Sequence, residues 1–246
     1  MNNINLIKFG GSILSHDINK CISIIADSAR GANKTLVVFG YSRILAGHLK
    51  LNNYIRGSYT NSKGVSSFTL DETVLEYSKK SCCTQGEVIE ALLKERKIKA
   101  VYLDGSGKGI VIGERKKLRV LNNEGVLEKL KNDYSGIIRN IRVDIILKMF
   151  DEFDVICMGP TMYANDDETL ACDSDSLIFA LADCLKLNSV VIYTKEGGVI
   201  INDRIVNSIN EENIDELINI ATAGMKKKLY IIKKNIKNKN IAINIQ

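Results

Sequence analysis

Residues 5–14, NLIKFGGSIL, place a glycine pair directly after a short apolar stretch, and this order decides the fold class. The pattern predicts a buried strand over Asn5–Phe9, a turn at Gly10-Gly11-Ser12 and a helix beyond it. A strand, a glycine turn and a helix in that order let backbone N–H groups approach a phosphate. The stretch is neither a Walker A motif nor G-x-G-x-x-G, so the glycine pair alone also fits an ordinary tight turn.

Lys8 is the unusual residue of this strand, because its neighbours are apolar. A charge inside a buried strand is costly unless it meets an opposite charge. The position therefore predicts that Lys8 meets an anion next to the glycine turn.

The rest of the chain alternates strand and helix patterns, which predicts an α/β fold with a mainly parallel sheet. Further strands are predicted over 35–39, 100–104, 154–158, 189–194 and 240–245. Helices are predicted over 17–29, after 42, and over 71–80, 86–96, 143–150, 173–186, 211–220 and the lysine-rich segment from 223. Hairpins are predicted over 109–121 and 125–131. These hairpins divide the chain into two halves, with a crevice expected at the carboxyl ends of the strands.

The composition is that of a globular protein of 246 residues, with 45% hydrophobic and 26% charged residues. No apolar run reaches the length of a membrane span and the first residues lack a signal-peptide pattern, so we expect a cytoplasmic location and no membrane partner. Six cysteines without a C-x-x-C pair, and two histidines, favour neither structural zinc nor a disulfide framework.

The net charge of +5 is concentrated at the end of the chain, where residues 222–246 carry seven lysines and no acidic residue. A basic segment suits an acidic partner or a nucleotide. No arginine–aromatic interleaving accompanies it, so no nucleic-acid partner is expected.

Two aspartates open the segment ACDSDSLIFALA, residues 171–182. Asp173 is predicted to cap the helix and to compensate its dipole. Asp175 lies about two positions further on, where its carboxylate could instead orient a lysine ammonium.

The segment AGMKKKLYIIKK, residues 223–234, is predicted to be a helix with one apolar stripe of Met225, Leu229, Ile232 and Ile236. Lys228 lies on the flank of this stripe, whereas the neighbouring lysines point away from it. Lys228 could be aimed at a ligand, or it could extend along the surface without a target. Two lysines and one carboxylate beside a glycine turn have the chemistry of phosphoryl transfer, because fixed cations stabilise charge on the transferring group.

These motifs resemble the amino acid kinase family, which includes acetylglutamate kinase. The resemblance rests on KFGGSIL (8–14), DSDSLIFALA (173–182) and AGMKKKL (223–229), in that order, and covers essentially the whole chain. Residues 120–136 and 132–160 are most similar to the branch that phosphorylates aminoadipate or glutamate held on an acidic amino-group carrier protein of the LysW type.

The resemblance implies a three-layer αβα sandwich around a mainly parallel, roughly eight-stranded sheet. It implies a single domain, 1–246, with an acyl-substrate lobe over about 1–150 and an ATP lobe over about 151–246, and a homodimer. Lys8 would stabilise the transferring phosphoryl group, Lys228 would contact ATP phosphates, and Asp175 would position both lysines. ATP would also be bound by Gly10, Gly11, Ser12, Gly40, Thr194, Lys195 and Met225, and its Mg²⁺ would be held through the phosphates. The acyl substrate would meet Tyr41, Ser42, Ser67, Ala171 and Asp173.

The chain departs from the family pattern mainly on the acyl-substrate side. The family's His-Gly-Gly-Gly-like turn is Phe39-Gly40-Tyr41-Ser42 here, so only Gly40 remains. The family's substrate-carboxylate arginine falls at about Ser67, its asparagine before the later motif is Ala171, and its aspartate after the penultimate strand is Lys195. Arg43, Arg56 or Lys63 could supply a replacement cation, and the sequence does not choose among them.

Three hypotheses follow from this pattern. The first is an ATP-dependent kinase that makes an acyl phosphate on a carrier-bound or otherwise altered amino acid. The second is a nucleotide-binding pseudokinase that acts as a regulatory subunit. The third is a kinase of the same fold with a phosphate or phosphonate acceptor, for which His48 is the candidate histidine although it lies far from the second strand.

Overall fold

The computed structural model describes residues 4–31, 33–60, 66–121, 126–165, 168–201, 204–206, 208–221, 223–239 and 242–246. Its α-helices are α1 (Gly11–His16), α2 (Ile18–Ser28), α3 (Ser42–Leu51), α4 (Glu72–Glu95), α5 (Val143–Met149), α6 (Ser174–Cys184), α7 (Ile214–Ile220) and α8 (Ala223–Lys239). None of the helices in these ranges is both long and apolar enough to cross a membrane.

The strands, in chain order, are β1 (Ile4–Phe9), β2 (Lys34–Phe39), β3 (Ser58–Thr60), β4 (Ser66–Phe68), β5 (Ala100–Leu103), β6 (Val111–Arg115), β7 (Arg119–Leu121), β8 (Leu127–Lys129) and β9 (Gly136–Ile141). They continue with β10 (Val155–Met158), β11 (Thr161–Tyr163), β12 (Thr169–Ala171), β13 (Ser189–Tyr193), β14 (Val199–Ile201), β15 (Arg204–Val206), β16 (Ser208–Ile209) and β17 (Ala242–Ile245).

A seven-stranded sheet in the order β16-β17-β13-β1-β2-β10-β5 forms the centre of the fold. All neighbours pair in parallel except β16, which is antiparallel to β17. The predicted α/β class and mainly parallel sheet are confirmed, with seven strands in the described sheet where about eight were expected. Residues 240–241 of the predicted last strand lie outside the described part of the chain.

Alternate side chains of the central strands point to opposite faces of the sheet, as strand geometry requires. Leu36 and Val38 of β2 pack in one hydrophobic core with side chains of α6 and α8. Val37 and Phe39 pack in a second core with side chains of α2 and α4. Helices therefore cover both faces, which produces the predicted three layers.

The predicted break between helices at 80–86 is wrong, because α4 runs without interruption from Glu72 to Glu95. Gly86 was predicted to begin a second helix, but it is buried in the middle of α4 against the ring of Tyr102. A Cβ at position 86 would lie 2.2 Å from a Tyr102 ring carbon. The glycine therefore permits close packing of the helix on β5 and does not mark a helix start.

A second, four-stranded sheet in the order β12-β11-β6-β9 combines two strands from the segment between β5 and β10 with the two strands that follow β10, and β7 and β8 form a separate hairpin. Hairpins were predicted over 109–121 and 125–131. Of the described strands in these ranges, β7 and β8 pair with each other as a hairpin, whereas β6 pairs with β9 and β11. All these elements lie between strands of the main sheet in sequence, and they bring Lys116 and Ser135 to the site described next.

Candidate active site

A cavity of about 430 Å³ opens where β1 and β2 end at their carboxyl termini. This is the usual place for a ligand in a parallel α/β sheet. Most of the predicted site residues line it, namely Lys8, Gly10, Gly11, Ser12, Gly40, Tyr41, Ser42, Ser67, Ala171, Asp173, Asp175 and Lys228. The fold thus brings together residues that are as far apart in sequence as Lys8 and Lys228.

Lys8 forms a buried ion pair with Asp175. The Lys8 Nζ lies 2.8 Å from the Asp175 Oδ1, and the side chains are 3% and 15% exposed. Leu6, two residues earlier on β1, points into the core that contains α6, so strand alternation directs Lys8 to the same face. Asp175 lies in the first turn of α6 and supplies the opposite charge that this buried lysine requires.

Lys228 lies beside this pair on α8. The predicted apolar stripe is confirmed, since Leu229, Ile232 and Ile236 are buried and Met225 packs against the same core. Burial lowers the pKa of Lys228, the charge of Lys8 lowers it further, and Asp175 and Glu196 act in the opposite direction. Asp175 therefore pairs with the Lys8 ammonium and also acts electrostatically on the Lys228 ammonium at the same cavity wall.

Three helices begin at the cavity. Gly11 is the first residue of α1, Ser42 of α3 and Ser174 of α6, and all three line it. The N–H groups of a first helical turn have no acceptor within the helix, and the helix dipole places partial positive charge there. The cavity also has four cationic side chains, Lys8, Arg56, Lys116 and Lys228, against two carboxylates, Asp173 and Asp175. Four cations against two anions leave an excess of two positive charges, so the site favours an anionic ligand.

Gly11 and Gly40 are required by the contact between the turns that follow β1 and β2. A Cβ on Gly11 would lie 2.7 Å from the Ser42 Oγ and 2.9 Å from the Ser42 N. A Cβ on Gly40 would lie 2.8 Å from the Gly11 N. The N–H of Gly10 donates to the Tyr193 carbonyl oxygen at 3.2 Å, so it is engaged within the protein. In α1 the N–H groups without an intrahelical acceptor therefore begin at Gly11.

We expect Gly11→Ala to destabilise the protein by about 1–3 kcal/mol, because the new methyl group overpacks a backbone contact. Gly10→Ala is the matched control, since the nearest atom to its Cβ is the Tyr193 carbonyl oxygen at 3.8 Å and its φ of −67° suits alanine. Urea unfolding of the two variants measures the difference. Equal stability of Gly11→Ala and the wild type would show that the turns do not pack as described.

The residues predicted for the acyl substrate occupy one side of the cavity. Tyr41 is half-buried and forms part of the wall, and burial raises the pKa of its phenol. Asp173 stands at the N-cap position of α6, but its side chain makes no capping hydrogen bond. The predicted capping role of the Asp173 side chain is therefore wrong. Its Oδ2 instead lies 3.6 Å from the Lys116 Nζ.

Of the three candidate replacement cations, two lie in the described part of the chain, and of these two Arg56 lines the cavity. Arg43 is exposed on α3 and outside the lining, and Lys63 lies outside the described residues. His48 is also outside the lining, and its Nδ1 lies 2.9 Å from the Ser81 Oγ. The histidine on which the phosphate-acceptor hypothesis depends is therefore engaged elsewhere.

Thr194, Lys195 and Met225, which were predicted for ATP, do not line this cavity. Thr194 follows β13 and is buried, and its Oγ1 has no hydrogen-bond partner among the described residues. Lys195 is exposed beside it, and Met225 packs into the core under α8. Their predicted role in binding ATP remains a prediction.

Sequence reasoning missed Lys116 and Ser78. Lys116 follows β6 in a run of basic residues, GERKKLR, that has the appearance of a solvated strand end. Ser78 lies inside α4 and is fully buried against the cavity. No local pattern marks either residue, because each reaches the site through the long-range packing of its element.

Comparison with known proteins agrees with this architecture. The model of the amino acid kinase family matches residues 3–246. The [LysW]-aminoadipate/[LysW]-glutamate kinase of Saccharolobus islandicus is 24% identical over 235 residues, which cover 95% of this chain and 88% of that protein. Among solved structures, smu.665 of Streptococcus mutans superposes with a TM-score of 0.82 at 17% identity and covers 100% of this chain and 95% of that one. Carbamate kinase of Giardia lamblia bound to AMP-PNP superposes with a TM-score of 0.68 at 15% identity, with coverage of 100% and 92%.

A parallel α/β sheet with this family match defines a phosphotransferase that acts on a carboxylate. The chain belongs to the amino acid kinase family, as its motifs indicated.

Proposed function

We propose that the protein transfers the γ-phosphoryl group of ATP to a side-chain carboxylate of aminoadipate or glutamate, with the amino acid attached to an acidic carrier protein. The observation that carries the proposal is the Lys8–Asp175 ion pair at 2.8 Å, with Lys228 beside it in a cavity of net positive charge. The Saccharolobus relative is named for LysW-linked substrates, and this name supports the choice of acceptor.

The charge pattern of the cavity also supports a carboxylate acceptor. A hydroxyl acceptor requires a base, whereas a carboxylate is already ionised at neutral pH. The two carboxylates that line the cavity are both ion-paired, Asp175 with Lys8 and Asp173 with Lys116.

In the reaction a carboxylate oxygen forms a bond to the γ-phosphorus, the bond to the β–γ bridging oxygen breaks, and ADP leaves. Lys8 and Lys228 would stabilise the charge on the transferring oxygens, and Asp175 would hold Lys8 in place.

Mg²⁺ fits this site as an ion held by the nucleotide. Because the lining carboxylates are ion-paired, the described residues provide no free pair of carboxylates for a protein-bound ion. Magnesium commonly keeps several waters and binds through phosphates, where it neutralises their charge.

In the proposed arrangement the second half of the chain, 151–246, carries the ATP side, and the first half, 1–150, carries most of the acceptor side.

A hydroxylamine-trap assay tests this function. The protein is incubated with ATP, Mg²⁺ and hydroxylamine, which converts an acyl phosphate to a hydroxamate. Acetylglutamate, free glutamate, free aminoadipate and the carrier conjugates of the last two serve as acceptors. We expect hydroxamate only with a conjugate. A signal with free acetylglutamate would contradict the carrier-linked acceptor, and ATP binding without any signal would favour the regulatory pseudokinase.

We expect ATP binding to be accompanied by proton uptake at alkaline pH, because burial and Lys8 hold the pKa of Lys228 below its ordinary value of 10.5. Phosphate oxygens beside the ammonium would raise that pKa. ATP affinity should therefore fall as the pH rises through the pKa of Lys228 in the free protein. Calorimetry in two buffers of different ionisation enthalpy measures the protons taken up. Lys228→Met should abolish the uptake, and Lys234→Met, an exposed lysine of the same helix, should retain it. Unchanged uptake in Lys228→Met would assign the proton to another group.

A further inference from the structure

One wall of the cavity is apolar. Leu45 of α3, Leu70 before α4 and Ala171 of β12 belong to one hydrophobic cluster, and all three line the cavity. Tyr41 packs against the same cluster and lines the cavity with them. At the position of Tyr41 the family's turn has glycine, so the phenol ring is a departure of this chain. These four side chains form an apolar wall.

Tyr41 is fixed in the apolar wall by its ring and by its hydroxyl. The ring also packs against the second hydrophobic core, which contains Phe39 and Cys82. A side-chain hydrogen bond joins the phenol to the hydroxyl of Ser78, which is fully buried on α4. Burial raises the pKa of the phenol, so the group stays neutral at physiological pH. Because the surrounding core is closely packed, the ring cannot readily move aside for a larger ligand.

The apolar wall lies in a cavity that otherwise favours an anion. Lys8 and Lys228 line the same cavity, whereas the wall offers no charge to a ligand. A carboxylate ligand is therefore expected to place its charged group at the lysines and an uncharged part against the wall. Contact with the wall stabilises methylene groups, because their surface is removed from water. In the proposed acceptor the uncharged part is the methylene chain between the reacting carboxylate and the α-carbon.

We propose that Tyr41 is a specificity-determining residue, which limits the length of the methylene chain between the reacting carboxylate of the acceptor and its α-carbon. This inference rests on the proposed function for the identity of the reacting group. The reacting carboxylate is held at Lys8, and the amino group is attached to the carrier protein. A chain with one methylene group too many must then press against the fixed ring of Tyr41. One methylene group in an apolar pocket typically changes kcat/KM by roughly 10- to 200-fold.

A series of acceptors of increasing length tests the inference. Carrier conjugates of aspartate, glutamate, aminoadipate and aminopimelate each contain one methylene group more than the conjugate before. In the hydroxamate assay we expect the wild type to prefer one length and to disfavour the next longer homologue by roughly 10- to 200-fold in kcat/KM. Tyr41→Leu shortens the side chain in the wall, so it should reduce this preference by about tenfold or more.

Two further variants separate specificity from folding. Tyr77→Leu is the matched control, because Tyr77 packs against the same cluster but lies outside the cavity lining. Its chain-length preference should equal that of the wild type, whatever its melting temperature. Tyr41→Phe keeps the ring but leaves the buried Ser78 hydroxyl without the phenol, so its melting temperature should fall while most of the preference remains.

Equilibrium binding without ATP gives a readout that does not depend on turnover. The probes are N-acetylglutamate, N-acetyl-2-aminoadipate and N-acetyl-2-aminopimelate. A length preference in binding that Tyr41→Leu reduces, without any hydroxamate formation, would support the role of Tyr41 while contradicting the proposed reaction. Hydroxamate formation with the same length preference in Tyr41→Leu and in the wild type would support the reaction and overturn the role of Tyr41. The absence of any length preference of the wild type in both assays would overturn it as well.

Discussion

Replacing Lys8 with methionine is expected to lower the rate of phosphoryl transfer by about 10²–10³-fold, as the loss of one fixed group that stabilises transition-state charge does in other enzymes. Methionine preserves most of the apolar volume of the lysine stem in β1 but removes the ammonium that lies 2.8 Å from Asp175. Because the cation would act on charge that develops during transfer, kcat should fall more than the affinity for ATP. Single-turnover measurement with the acceptor that gives hydroxamate separates the two quantities.

Lys34→Met is the matched control for Lys8→Met. Lys34 begins β2 at the opposite end of the sheet, and its Nζ lies 2.9 Å from the Asp154 Oδ1 and donates to the Phe153 carbonyl oxygen. Both variants remove a strand lysine from an ion pair, so both are expected to lose some stability. Only Lys8→Met should lose turnover. Near-normal transfer by a folded Lys8→Met protein would remove Lys8 from the chemistry.

The central residues of the fold and the site could be predicted because their signals are local. The strand around Lys8, its glycine turn and the helix start at Asp175 each carry a pattern within ten residues, and the family resemblance supplied their relative roles. The stripe on α8 likewise follows from helical periodicity, which placed Lys228 on its flank.

The remaining parts of the site depend on long-range packing. From the sequence, Gly40 was interpreted as the remaining glycine of a longer glycine motif. In the structure its backbone contacts Gly11, which lies about thirty positions earlier in the chain. This contact between two turns explains why both positions are glycine. Arg56 could not be chosen over Arg43 from sequence, because that choice requires knowing which face of the segment borders the cavity. The helix start predicted at Gly86 was wrong for the same reason, since the contact of this glycine with Tyr102 is not visible in its sequence neighbours.

Asp175→Asn is expected to lower both the stability of the protein and its rate of phosphoryl transfer. The change preserves shape but leaves the Lys8 ammonium, 3% exposed, without its counter-ion and close to the positive charge of Lys228. Breaking one partner of a buried pair typically costs about 3–5 kcal/mol. Urea unfolding should show a loss of this order, and phosphoryl transfer should fall because Lys8 is no longer held in position.

The double variant Lys8→Met/Asp175→Asn should recover much of the stability lost in Asp175→Asn, because it removes the uncompensated buried charge along with the counter-ion. Its activity should remain as low as that of Lys8→Met, since no stability gain replaces the missing ammonium. Unfolding and hydroxamate assays on the two single variants and the double variant complete the cycle. Additive stability losses would mean that the two charges are not coupled, and transfer restored in the double variant would mean that the pair serves folding alone.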